Sequence, residues 1–223
     1  MSYRAWTLIH SLGLLICCSY LIAESVNLIP VFALISFFLF LIIHRREMKQ
    51  IKPIGGYANW VTLLRLIIIL TIMTTSGITL LSAQIGFIIA LILDGVDGYI
   101  ARKTKSESLE GTRFDMEVDA FFVLAITLFI WSSLGYPIWI ISLGLFRYAY
   151  VILLYGLRLP ERPEPPSYFK KTTTVISIGV MIVILILPEV NFSYTIALPI
   201  TLLVLSFGHS FYFQLTNKWI PIF

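Results

Sequence analysis

The chain has 223 residues, 58% of them hydrophobic and only 13% charged, with a formal net charge of +4. Soluble domains carry about 25% charged residues, so this composition excludes a water-soluble fold and points to a polytopic membrane protein. Cys17 and Cys18 are adjacent inside an apolar run, which excludes a disulfide framework or a spaced zinc site and leaves them as packing residues.

Eight apolar stretches follow one another, at about 5–22, 27–43, 60–79, 82–101, 116–134, 136–156, 173–188 and 194–213. Each is near the roughly 20 residues that cross a bilayer, the shorter ones with tilt or snorkelling. The expected fold is all-α: a bundle of eight transmembrane spans. Arg4, the group Arg45, Arg46, Lys49 and Lys52, the group Arg102, Lys103, Lys105 and Arg113, the group Arg158, Arg162, Lys170 and Lys171, and Lys218 all fall on one side. The opposite loops carry Glu24 and Glu189 and no Lys or Arg. The positive-inside rule makes the basic side cytoplasmic and puts both termini there. Trp6, Trp60, Trp131, Trp139 and Trp219 lie near span ends, as in an aromatic belt.

The first two spans carry almost no polar chemistry; His10 is expected to be hydrogen-bonded within the bundle. No small-residue cleavage site stands out around Ala23-Glu24, which favours a retained anchor over a cleaved signal. Residues 44–58 form either a basic connector or a surface helix with Met48, Ile51 and Ile54 turned inward among anionic headgroups. Asn59, Thr62 and Arg65 then open the third span three residues apart, a slanted polar stripe on one helix face.

The fourth span ends in Asp94, Asp97-Gly98 and Ala101-Arg102, and Gly111, Asp115 and Asp119 follow at short range. Spacings of three and four place each pair of aspartates on one helix face, about 5–6 Å apart at Cβ. Residues 103–112 are polar enough for a turn outside the hydrocarbon, so one helix leaves the membrane and the next re-enters with its acidic face towards the first. Clustered carboxylates require positive charge among them. Hard divalent cations take oxygen ligands and bridge to substrate phosphates, and a pair of them can clamp an in-line displacement at phosphorus. Glu110 and Glu117 are poor candidates for such a cluster; Glu117 points to another face.

Beyond it, Arg147 lies within the sixth span, where an ionisable residue is a functional candidate by default. It would hold an acceptor phosphate or act as counter-charge to the aspartates. Pro160, Pro163, Pro165 and Pro166 make residues 158–167 a stiff connector. Lys170, Lys171 and Thr174 open the seventh span, as topology alone would also require. His209 and Ser210 are expected to make an interhelical hydrogen bond.

The run Asp94, Asp97-Gly98, Ala101-Arg102, eight residues, Gly111, Asp115, Asp119 resembles the signature of the CDP-alcohol phosphotransferase family, with no departure from it. Asn59, Thr62 and Arg65 resemble that family's core-opening motif, and Lys171 with Thr174 its glycerophosphate-type element. The resemblance implies a six-helix core at 59–223, an N-terminal helix pair at 1–43 as an addition, and a basic segment at 44–58. It also implies an integral membrane enzyme that takes a CDP-linked lipid such as CDP-diacylglycerol and a small alcohol and releases CMP. Asp94, Asp97 and Asp115 would hold Mg²⁺ or Mn²⁺, two ions in all, with Asp119 as a shared ligand or the general base. Asn59, Thr62, Arg65, Gly98, Ala101, Arg102 and Gly111 would line the nucleotide and pyrophosphate site, and Arg147, Lys170, Lys171 and Thr174 the acceptor site.

The expected acceptor is a phosphorylated polyol such as glycerol 3-phosphate, with choline, serine or an inositol-type acceptor as the alternative. A homodimer in a bacterial inner membrane, its active site facing the cytoplasm and without a nucleic-acid partner, completes the expectation. The competing class is a cation transporter or scaffold, whose acids would sit nearer the bilayer midplane.

Overall fold

Eight α-helices make up the described residues: α1 (Tyr3–Glu24), α2 (Ile29–Ile43), α3 (Tyr57–Thr74), α4 (Leu80–Thr104), α5 (Leu109–Leu134), α6 (Ile141–Gly156), α7 (Tyr168–Ile186) and α8 (Ala197–Thr216), with a 3₁₀ turn at Ile138–Ile140 leading into α6. The computed structural model describes all residues except 1, 25–26, 46, 48–55, 105–107, 160–161, 163, 191, 193 and 218–223, and only the backbone of Asp97, Ala101, Arg102 and Thr104. The expected surface helix with Met48, Ile51 and Ile54 lies outside the described residues. So do Arg46, Lys49, Lys52, Lys105, Pro160, Pro163, Lys218 and Trp219, and the side chains of Asp97, Ala101 and Arg102.

Seven of the described helices are long and apolar enough to cross a membrane, and the 15-residue α2 is a shorter apolar helix. Leu34, Phe38, Ile67, Leu81 and Val175 are each more than half exposed, which water would penalise and lipid does not. The protein is a multi-pass integral membrane protein.

Helix ends follow local chemistry that hydropathy alone does not show. The polar turn expected over 103–112 is shorter. α4 continues to Thr104, and α5 already begins at Leu109 because the Ser108 hydroxyl accepts the Gly111 N–H at 3.0 Å, satisfying a donor of the first turn. Similarly α7 begins at Tyr168 rather than near 173, where Ser167 caps the N–H of Lys170 at 3.5 Å directly after Pro165-Pro166. The third span ends at Thr74, short of 79, since Gly77 takes φ +68°, a left-handed turn open to glycine. Thr79 accepts the Ser82 N–H at 3.2 Å to start α4.

Two compact units divide the chain. In the first, spanning Ile16–Ala125, Phe37, Phe40, Phe114 and Phe121 are buried in one aromatic cluster. Phe87 meets Phe122 edge-on at 6.0 Å. Between membrane helices such packing is the cohesive force, because lipid removes the hydrophobic drive; aromatic pairs contribute about 0.5–1.5 kcal/mol each beyond area. The second unit contains Ser2–Leu15 and everything from Ile126 onward. There His10 stacks on Trp6 at 4.8 Å and meets Tyr148 edge-on. Trp6 is 2% exposed, so it packs in this unit instead of joining an aromatic belt. Tyr136 donates to the carbonyl of Val190 at 3.1 Å and accepts the Phe192 N–H. Cys17 and Cys18 are buried free thiols.

Candidate active site

α4 carries Asp94, and α5 carries Asp115 and Asp119 one turn apart on a single face. One carboxylate oxygen from each comes within 4.8 Å of the others. Into this group α3 projects Arg65, whose side chain is 1% exposed. Its Nη1 donates to Asp94 Oδ1, while its Nη2 donates to Asp115 Oδ1 at 2.7 Å and to Asp119 Oδ1 at 2.6 Å. The carboxylates remain 37–51% exposed, so their far oxygens stay within reach of solutes. With every group ionised, one guanidinium leaves two negative charges in excess. An all-oxygen donor set with that surplus fits a hard divalent cation such as Mg²⁺ or Mn²⁺.

Gly111 fixes how close α3 and α5 come. A Cβ there would lie 2.7 Å from Asn59 Oδ1 and 2.9 Å from Ser108 Oγ, so any larger residue would force the Asn59 amide and the Ser108 hydroxyl to shift. Thr62 is buried and donates to the carbonyl of Ala58 at 3.2 Å, back-bonding within its own helix. Gly98 is one turn beyond Asp94 on α4. Glu117 is fully buried and sits in register with Phe114 and Phe121 rather than with the aspartates.

An open groove of about 540 Å³ lies in the same unit, lined by Tyr57, Trp60, Val61 and Leu64 of α3 and Ile100 and Lys103 of α4. Its walls are apolar except for Lys103. The sequence marked Trp60 only as an interfacial aromatic and Lys103 only as a topological charge, and the apolar lining is like that of any spanning helix.

Of the four acceptor-site candidates, all in the second unit, Arg147 donates through Nη2 to the Tyr3 hydroxyl at 3.5 Å. Lys170 is ion-paired with Glu164. Lys171 and Thr174 are exposed, and the Thr174 hydroxyl donates to the carbonyl of Lys170 at 3.1 Å. Glu164 also accepts from Ser210 and Gln214 at 3.2 Å each and from Tyr150 at 3.4 Å. Ser210 thus bonds to the connector, not across to another helix as expected. Gln214 further exchanges hydrogen bonds with the backbone of Arg162 at 2.9 and 3.0 Å. A glutamine in an apolar last span was the available signal for this cluster.

A family model described as CDP-alcohol phosphatidyltransferase matches residues 56–208. Nothing matches among curated proteins or among solved structures.

Proposed function

The chain belongs to the CDP-alcohol phosphatidyltransferase family, and on that premise we propose that it moves a phosphatidyl-type group from CDP-diacylglycerol to a small alcohol and releases CMP. The observation that carries the reading is the cluster of Asp94, Asp115 and Asp119 around the buried Arg65, inside the matched region. Asp94, Asp97, Asp115 and Asp119 would hold Mg²⁺ or Mn²⁺, which when bound supplies charge neutralisation at the phosphoryl oxygens.

The rest is the work of side chains. An acceptor hydroxyl is a weak acid, so its attack on the β-phosphorus is helped by a carboxylate that takes the proton; Asp119, the most exposed of the three, is assigned that role. The new oxygen–phosphorus bond forms as the bond to CMP breaks, and CMP leaves with the electron pair. Arg65 supplies a fixed positive charge that holds the carboxylates together, with Asn59, Thr62, Gly98, Ala101, Arg102 and Gly111 as the nucleotide and pyrophosphate lining. The apolar groove along α3 and α4 takes an acyl chain of the donor, with Lys103 near its headgroup. Basic residues gathered on one side support a cytoplasmic active site.

For the acceptor, Arg147 and Lys171 support a phosphorylated polyol such as glycerol 3-phosphate. The ion pair of Lys170 with Glu164 favours the second reading, a neutral or zwitterionic alcohol such as choline, serine or inositol, because it withdraws one cation from any phosphate.

CMP release from CDP-diacylglycerol by purified protein, across a panel of acceptors with Mg²⁺ or Mn²⁺, tests the proposal. Release with one acceptor is expected, abolished by EDTA and restored by metal. Asp119→Asn should lower kcat by about 10²–10⁴-fold. Folded, metal-supplied protein that releases no CMP from any CDP-linked donor would overturn the reading.

A further inference from the structure

The family match begins at residue 56, which leaves α1 and α2 without an assigned role. We infer that α2 is a brace for the metal-binding helix α5, with His44 as a positioning residue that acts through Glu110. The inference rests on the proposed role of Asp115 and Asp119.

Asp115 stands in the second turn of α5, six residues from its start, directly after a first turn whose backbone donors lack intrahelical partners. On α5, Glu110, Phe114, Glu117 and Phe121 share one face by their four-three-four spacing, and Gly111, Asp115 and Asp119 run along the neighbouring face. The second face meets Arg65. The first is gripped by α2. Phe114 stacks on Phe40 at 5.7 Å and meets Phe37 edge-on at 6.1 Å, and Phe121 meets Phe37 at 5.7 Å.

At the tip of α2 the grip becomes polar. Nε2 of His44 lies 3.5 Å from Glu110 Oε2, an ion-pair contact rather than a hydrogen bond, with the two side chains 8% and 12% exposed. The ring is itself held, with Nδ1 3.1 Å from the carbonyl of Phe40 and its plane 4.4 Å from the Phe40 ring. The other oxygen of Glu110 accepts from Arg113 at 2.6 Å. Arg113 thus orients the Glu110 carboxylate within α5, and His44 is the side chain of α2 that faces it, which we take to hold the rotation of the first turn. Any twist of that turn would swing Asp115 away from Asp94.

Three single variants and one double variant of the protein in lipid nanodiscs separate this pairing from mere packing. His44→Phe keeps a ring against Phe40 and removes the nitrogen facing Glu110; His44→Gln keeps a donor near the Nε2 position; Glu110→Gln removes the charge. Each is read by kcat, by KM for CDP-diacylglycerol, by Mn²⁺ affinity from an EPR titration without substrate, and by thermal unfolding. We expect His44→Phe to lose about ten-fold in kcat and in Mn²⁺ affinity with KM nearly unchanged. His44→Gln should recover most of both, and the double variant His44→Phe with Glu110→Gln should be no worse than the single one. A folded His44→Phe protein with wild-type kcat and Mn²⁺ affinity would overturn the brace, as would a His44→Gln protein as impaired as His44→Phe. If Mn²⁺ affinity responds as expected while wild-type protein releases no CMP, the brace stands and the transferase reading fails.

Discussion

Both units build a polar cluster around carboxylate on an otherwise apolar helix bundle, and they handle charge in opposite ways. In the first, three aspartates share one guanidinium. In the second, the single carboxylate of Glu164 takes up Lys170, Ser210, Gln214 and Tyr150. The first has acceptors to spare, on oxygens that solutes can reach. The second has its oxygens engaged, and through Gln214 it ties the proline-rich connector to α8. A cluster with unspent charge is a place for a ligand; a saturated one is a fastening. Counting acidic residues would not have separated them, whereas counting donors against acceptors does.

The largest test of that contrast is Arg65→Ala. Removing one partner from a buried charge pair costs about 3–5 kcal/mol, and the partial exposure of the three aspartates places this case at the low end. Thermal unfolding should show the loss, and added Mg²⁺ or Mn²⁺ should recover part of it by binding the freed carboxylates. Recovery that fails with both ions would mean that the cluster is itself a fastening.

Gly111→Ala comes next. Its new methyl group collides with the Asn59 amide and the Ser108 hydroxyl, and overpacking of this kind costs about 1–3 kcal/mol. The damage should appear in kcat as well as in stability, because α3 and α5 carry Arg65 and the two aspartates. The smallest effect is expected for Glu164→Gln. It should lower stability by about 1 kcal/mol, since glutamine keeps most of the hydrogen bonds and the ion pair, its side chains 24% and 22% exposed, is partly screened, and leave CMP release nearly unchanged. A large loss of activity there would make the second cluster a working site and erase the distinction.

What could be read from the sequence is what repeats at short range. Asp115 and Asp119 announce a shared face through their spacing, and Asp94 joins them across one brief turn. The apolar runs announce the helices. The positions of Ser108 and Ser167 as caps moved two helix starts towards the N-terminus, a shift hydropathy cannot register because a cap is one hydroxyl among polar neighbours. The pairing of His44 with Glu110, like that of Glu164 with Ser210 and Gln214, joins residues far apart in the chain. Apart from the glutamine in an apolar span, nothing local marks such partners, and Glu110 in particular was expected in a polar turn and set aside as a site candidate.

The contact of Gly111 with Asn59 also bears on how this protein can change over time. An alanine at 111 is accommodated most easily in a lineage where residue 59 has already become smaller and the Ser108 hydroxyl can turn aside. Shrinking residue 59 first leaves only a small gap between two helices, which is tolerable until a later step fills it. The two positions are thus historically contingent on each other, and in diverging descendants they should drift as a pair, with the change at 59 coming first.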